Sequence, residues 1–289
     1  MTEQIENDFL KVEVSYAGAE LKSLYNKTNK KEYLWQANPE FWPRRAPVLF
    51  PFVGKLKNNQ FKYKGQSYTM SQHGFARDQK FELKEKTTDS LLFSLKSNEH
   101  LLQLFPFEFE LNILYKLTGK KLDVQYVVNN PGKNDLYFSI GGHPGFNCPL
   151  FADEDLEDYC LEFENSENAE SLLTDGGLIN SKTKAILNNT NLLPLSEEIF
   201  DIDTIIFEKL KSSYVVLKNK KGTYKVKVQF GDFPVFAIWK KADANFLCLE
   251  PWDGHGDLAQ FDGELNGKKG IHSLSSGKTY SKNFFVEIA

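Results

Sequence analysis

The sequence predicts an all-β protein, a large antiparallel sandwich, and three observations carry that expectation. The first is a period of two. Phe107, Phe109, Leu111, Ile113, Tyr115 and Leu117 alternate with mostly polar partners, Gly119-Lys120-Lys121 turns the chain, and Leu122, Val124, Tyr126 and Val128 resume the alternation. Successive side chains of a strand point to opposite faces, so this reads as a long hairpin with one buried face. The second is that the same grammar recurs in short runs separated by polar turns, with no strand-helix-strand rhythm. The third is composition: 24 Phe and 12 Tyr in a chain that is 41% hydrophobic supply bulk suited to sheets and enough of it for a large core.

Taken in chain order, strands are expected at residues 9–14, 20–25, 61–63 with Tyr68 across a Lys64-Gly65 turn, 81–86 and 91–95. Beyond the central hairpin they are expected at 214–217, 224–230, 236–239 and 284–288. Helix is confined to two places, a short one over 98–105 stopped by Pro106 and a single turn over 256–261. Residues 166–193 are polar, with turn signals at Asp175-Gly176-Gly177 and Asn188-Asn189-Thr190, and read as an excursion from the sandwich rather than a strand pair. Length alone weakly favours about two domains. No Ser/Gly/Pro-rich linker, repeat or low-complexity tract divides the chain, so residues 1–289 are expected to form one domain.

The balance of 35 basic and 39 acidic residues is interspersed and gives a formal charge of −4, which offers no electrostatic footprint for nucleic acid or an anionic membrane. The first eight residues have neither a basic nor an apolar leader segment, and no apolar run approaches the ~18 residues of a membrane helix. Three cysteines, Cys148, Cys160 and Cys248, make an odd count without a CxxC pair, which suits a reducing compartment. A cytoplasmic protein with a small-molecule or protein partner is the expectation. Asn26-Lys27-Thr28 matches a glycosylation sequon but means little without a secretory signal.

Chemistry is concentrated in residues set at turns and strand ends. His73 stands in Gln72-His73-Gly74-Phe75-Ala76-Arg77, and His143 in Gly141-Gly142-His143-Pro144-Gly145-Phe146, where the glycines permit a tight, exposed loop. His73, taken singly, is more often a structural hydrogen-bonding residue than a catalyst, and His143 is the better placed of the two. Glu250 ends an apolar run, Phe246-Leu247-Cys248-Leu249, and a carboxylate there needs a partner such as Lys240 or Lys241, or a wet cleft. Trp252, two residues on, is suited to a sugar platform or to the core. Arg44 and Arg45 precede Ala46-Pro47-Val48-Leu49-Phe50-Pro51, and one turned inward, joined by Arg77, would present forked donors to oxygen-rich groups. Two histidines, a glutamate and two or three arginines describe an acid/base pocket for a polar substrate and leave the reaction open.

Together, Arg45-Ala46-Pro47-Val48-Leu49-Phe50-Pro51, His73-Gly74-Phe75-Ala76-Arg77, Gly142-His143-Pro144-Gly145-Phe146 and Leu249-Glu250-Pro251-Trp252 resemble the aldose 1-epimerase (galactose mutarotase-like) family, in order and across nearly the whole chain. The branch they look most like is the one called galactose mutarotase-related. The resemblance implies an antiparallel β-supersandwich and interconversion of α and β sugar anomers with neither cofactor nor metal. It implies Glu250 as the base at the C1 hydroxyl, His143 as the acid at the ring oxygen and His73 as an assistant beside it. Arg45 and Asp203 match sugar-binding positions, with Arg44 and Asp201 as competitors, and Arg77 and Trp252 complete the expected site. Three other readings are set beside it. A hexose-6-phosphate mutarotase would use Arg44, Arg45, Lys55 and Arg77 for phosphate, although the Arg-Gly-Gly context of that branch is absent. A non-catalytic carbohydrate-binding protein would need no acid–base pair. A metal hydrolase would use His73, His143 and Glu250, which lack the i, i+4 spacing of HExxH.

Overall fold

In a computed structural model, which describes residues 1–288, the chain is almost entirely antiparallel strand. An amino-terminal sheet of four strands (Thr2–Glu6, Leu10–Ser15, Leu21–Asn26 and Lys31–Glu32) lies beside one sheet system of fifteen. This is the β-supersandwich architecture of the galactose mutarotase-like fold.

The central hairpin, Glu110–Thr118 with Lys121–Asn129, pairs without a register shift from Glu110↔Asn129 to Thr118↔Lys121. Leu111, Ile113, Tyr115 and Leu117 on one strand and Leu122, Val124, Tyr126 and Val128 on the other are buried, and the residues between them are not. Beneath this face the phenylalanines mesh. Phe105 sits within 4.8–6.4 Å of the ring centres of Phe50, Phe52, Phe61, Phe75, Phe107 and Phe109. Full burial of each such ring is worth roughly 1.5–3 kcal/mol, so the cluster anchors the frame on which the cleft is built. The short helix Glu99–Leu104 begins where Asn98 accepts a bond from the Leu101 N–H at 2.9 Å and ends just before Pro106.

Two expectations change. Residues 166–193 are not an excursion from the sheets but the greater part of a strand pair, Tyr159–Asp175 with Leu178–Pro194, interrupted by four register shifts. Its inward positions include polar residues: Glu167 accepts from both the N–H and the hydroxyl of Ser212, at 2.8 and 2.6 Å, and Ser171 from the Ile206 N–H at 2.9 Å. Residues 256–261 form no helical turn, because their backbone is committed elsewhere. The Ile179 N–H donates to the Asp257 carbonyl at 2.9 Å and the Ala259 N–H to the Ile179 carbonyl at 2.8 Å, which docks the hairpin tip against this segment. Among the described residues no helix is long and apolar enough to cross a membrane.

Candidate active site

The strand Phe246–Asp253 is buried along its whole length. Val235–Trp239 pairs along one edge, and two short strands, Ile140–Gly142 and Gly145–Asn147, pair along the other. The flanking pairs Gly141↔Trp252 and Gly145↔Cys248 share one register, so counting inward from either side sets His143 opposite Glu250. Opposed residues of an antiparallel pair project to the same face. His143 Nδ1 lies 3.2 Å from Glu250 Oε2, with the carboxylate fully buried and the imidazole 8% exposed. His143 therefore stands in a gap between two strands, not on an exposed loop. The glycine after it supplies clearance: a Cβ on Gly145 would come within 2.9 Å of the Trp42 ring.

His73 reaches the same place from a left-handed backbone position, φ 66°, held by its N–H donating to the Gly54 carbonyl at 2.8 Å. In return the Gly54 N–H donates to His73 Nδ1 at 3.1 Å. A backbone N–H can only donate, so Nδ1 carries the lone pair and Nε2 the proton. That tautomer asks the Gln72 amide, 3.2 Å from Nε2, to present its oxygen. The two histidine rings are 5.6 Å apart, centre to centre. With Glu250 they line a cleft of about 320 Å³ whose walls include Trp42, Arg77, Asp203, Trp239 and Trp252.

Burial sets the charge states. It pushes the Glu250 carboxyl well above the usual range; the Trp252 N–H, donating to Oε2 at 3.1 Å, opposes this and nearby Asp203 adds to it. Burial also drives His73 well below its ordinary value, helped by His143, Arg77 and Arg44. It brings His143 down to about 3, against a backbone hydrogen bond that favours the cation and with Arg77 and Arg44 acting against it. Burial thus favours the carboxylic acid and the neutral imidazole over the ion pair. Glu250 Oε1 and His143 Nδ1 have no aligned hydrogen-bond partner, which leaves both free to engage a ligand. The donor atoms of His143, Cys248 and Glu250 lie within 4.8 Å of one another, the one potential metal-binding group among the described residues. Cys248 is fully buried, its thiol pKa is raised by burial, and metal binding would require the thiolate.

Not every expected contact is where the motif suggested. The N–H groups of Arg45 and Ala46 donate to the buried Glu20 carboxylate at 2.7 and 3.2 Å. That anchor turns Arg45 away from the cleft, where its guanidinium donates to the carbonyls of Lys22 and Gln36 at 2.5 and 3.3 Å. Arg44 is instead the arginine whose charge is felt at both histidines, and it pairs with Asp78 at 2.7 Å. Arg77 lines the cleft with Nη2 on the Gln72 carbonyl at 2.6 Å and with Nε 3.9 Å from Asp78 Oδ2, an ion pair without a hydrogen bond. Asp203 lines it and accepts from Trp239 Nε1 at 3.2 Å, whereas Asp201 is not among its walls. Trp252 packs chiefly against Leu49, Val53, Ile206, Val235 and Ala237, so its visible task is to hold the Glu250 carboxylate.

One wall went unread in the sequence: Thr174, Gly177 and Ile179 at the tip of the long hairpin. Its signal was present. Asp175 pairs with Leu178 across Gly176 and Gly177, both at positive φ, the tight hairpin turn that an Asp-Gly-Gly run encodes.

Known proteins place this geometry in context. The family model for aldose 1-epimerase matches residues 1–271. The chromosomally encoded protein LacX of Lactococcus lactis subsp. lactis is 34% identical over 298 residues, covering 100% of this chain and 99% of that one. A galactose mutarotase related enzyme from Lactobacillus acidophilus superposes with a TM-score of 0.96 at 36% identity, covering 100% and 97%. A galactose mutarotase-like protein from Lactobacillus casei gives 0.94 at 33%, with both chains covered in full.

Proposed function

The chain belongs to the aldose 1-epimerase family, and we propose that it interconverts the α and β anomers of an aldose by acid/base opening and closing of the sugar ring. The observation that carries this reading is the approach of His143 Nδ1 to Glu250 Oε2, 3.2 Å, at the floor of the cleft. Ring opening needs a proton to leave the C1 hydroxyl as another arrives at the ring oxygen, so a base and an acid must flank one carbon.

In this mechanism ionised Glu250 takes the C1 hydroxyl proton while the imidazolium of His143 donates to the ring oxygen. The C1–O5 bond breaks as the C1 carbonyl forms. The side chains end as carboxylic acid and neutral imidazole, the states that burial favours. A desolvated pair therefore helps the step that opens the ring. Rotation about C1–C2 presents the other carbonyl face, and the two protons return as the ring closes. His73, held as an Nε2–H donor, can exchange its Gln72 partner for a sugar oxygen without itself carrying a proton across.

Exchange between anomers, followed by NMR across free and 6-phosphorylated aldohexoses, tests the reading; no acceleration on any of them would overturn it. Only protons pass between sugar and protein, so activity is expected to survive exhaustive chelation. Loss with EDTA and recovery with one divalent ion would sink that expectation. A second substrate class, the 6-phosphorylated hexoses, is favoured by the positive charge of Arg77 in a wall of the cleft with Arg44 close by.

A further inference from the structure

Trp42 is the closest aromatic neighbour of His143. Its ring lies 4.9 Å from the imidazole, centre to centre, at an interplanar angle of 28°. Trp239 meets the same imidazole edge to face at 5.7 Å and 84°. The stack is built into the fold. The Trp42 carbonyl accepts from Trp35 Nε1 at 2.9 Å, its ring stacks on Phe246 at 5.3 Å and 24°, and the missing side chain of Gly145 gives it room.

We propose that Trp42 is a positioning residue for proton transfer: its indole face keeps the His143 ring against Glu250 and favours the imidazolium, so that the pair reaches its ionised, ring-opening state more often. The inference rests on His143 acting as the proton carrier. An indole face attracts a cation through its quadrupole and gains much less from a neutral ring, so the stack discriminates between the two protonation states. Few other neighbours favour the cation. Arg77 and Arg44 oppose it, His73 is held neutral by Gly54, the Cys248 thiol stays protonated, and Asp203 acts on Glu250 toward the un-ionised pair. Glu250 itself and a backbone hydrogen bond at His143 act with Trp42. A face-on contact of this kind shifts the balance on the order of 3- to 10-fold, equivalent to about 0.5–1 pH unit.

The experiment compares Trp42→Leu and Trp42→Phe with the parent protein, reading kcat and KM for anomer exchange against pH. For Leu, kcat is expected to fall about 3- to 10-fold across its plateau, with the acidic limb moving down by about 0.5–1 pH unit. The limb moves down because a less basic His143 takes up the pair's second proton only at lower pH. Phe, which keeps an aromatic face, is expected to recover most of both effects. A rise in KM with kcat and the limb unchanged would make Trp42 a sugar platform, and a fall in kcat with an unmoved limb would make it packing alone; either overturns the proposal. If the parent protein exchanges no anomers, the mutarotase reading fails separately. The pH response of the His143 ring signals by NMR, parent against variants, then still decides the role of Trp42. Should Leu fail to fold, Phe carries the test with a smaller expected shift in the same direction.

Discussion

Glu250 and Asp253 stand three residues apart on one buried strand and therefore face opposite ways, yet their surroundings treat them as opposites. Asp253, on the side away from the cleft, is met by His272 Nε2 at 2.7 Å, by the Tyr280 hydroxyl at 2.6 Å and by the Lys282 ammonium. Burial raises its pKa, but these three partners outweigh burial and hold it at about 2. Glu250 lies deeper, with one indole N–H and no cation besides whatever charge His143 acquires, and burial wins. Partner supply set against depth decides which way a buried carboxylate's pKa moves.

The largest expected effect is on the cleft side. Glu250→Gln keeps the shape but cannot accept the hydroxyl proton, so kcat should fall about 10²–10⁴-fold with KM little changed. Thermal stability should hold or rise, since a desolvated acid has been removed. Anomer exchange by NMR together with a melting curve checks both halves, and a retained kcat would take Glu250 out of the mechanism. His143→Asn should lower kcat over the same range.

On the far side the pattern should invert. Asp253→Asn is expected to cost about 1–3 kcal/mol of stability, because it strips an anion from the partly exposed Lys282 ammonium and from the His272 and Tyr280 hydrogen bonds, while catalysis survives. The sign with pH follows from a folded pKa of about 2 against an ordinary 3.8. The stabilisation is complete above pH 4 and is lost as pH falls from about 4 toward 2. Urea melts of both proteins at pH 7, 4 and about 1.5, below the folded pKa, should converge at the acid end, and an undiminished gap there would contradict the assignment.

Histidines report the same divide. His73 should stay neutral with its proton on Nε2 from pH 8 down to 5, seen directly in ring nitrogen shifts, because its folded pKa is driven well below 6.5. The unfolded chain takes up a proton near 6.5, so His73 and His143 each make the fold less stable as pH falls below that value. An ordinary titration at His73 would undo the Gly54 argument. The smallest effect concerns Arg77. If the cleft takes a 6-phosphate, Arg77→Ala should raise KM for the phosphosugar several-fold and leave free hexoses nearly untouched; equal kinetics on both would remove phosphate recognition.

The uninterrupted alternation of Leu111 to Leu117 was legible because nothing but burial is asked of it, and the four motifs around His73, His143 and Glu250 were legible because unusual residue types cluster there. Other features depend on residues remote in sequence. The inward Glu167 and Ser171 look like surface until Ser212 and Ile206 are seen to satisfy them. That Arg45 does not line the cleft depends on Glu20, whose carboxylate takes the N–H of Arg45 and Ala46. The glycine at 145 was read as a loop former, whereas what it provides is space for a ring contributed by residue 42.

The hairpin tip that walls the cleft is fastened through main-chain atoms: Ile179 exchanges bonds with the Asp257 carbonyl and the Ala259 N–H, and Lys55 Nζ holds the Gly176 carbonyl at 2.7 Å. Main-chain fastening is indifferent to what the side chains at 174 and 179 are. The tip is thus a separable part, one whose face toward the cleft can change while the floor beneath it keeps its geometry.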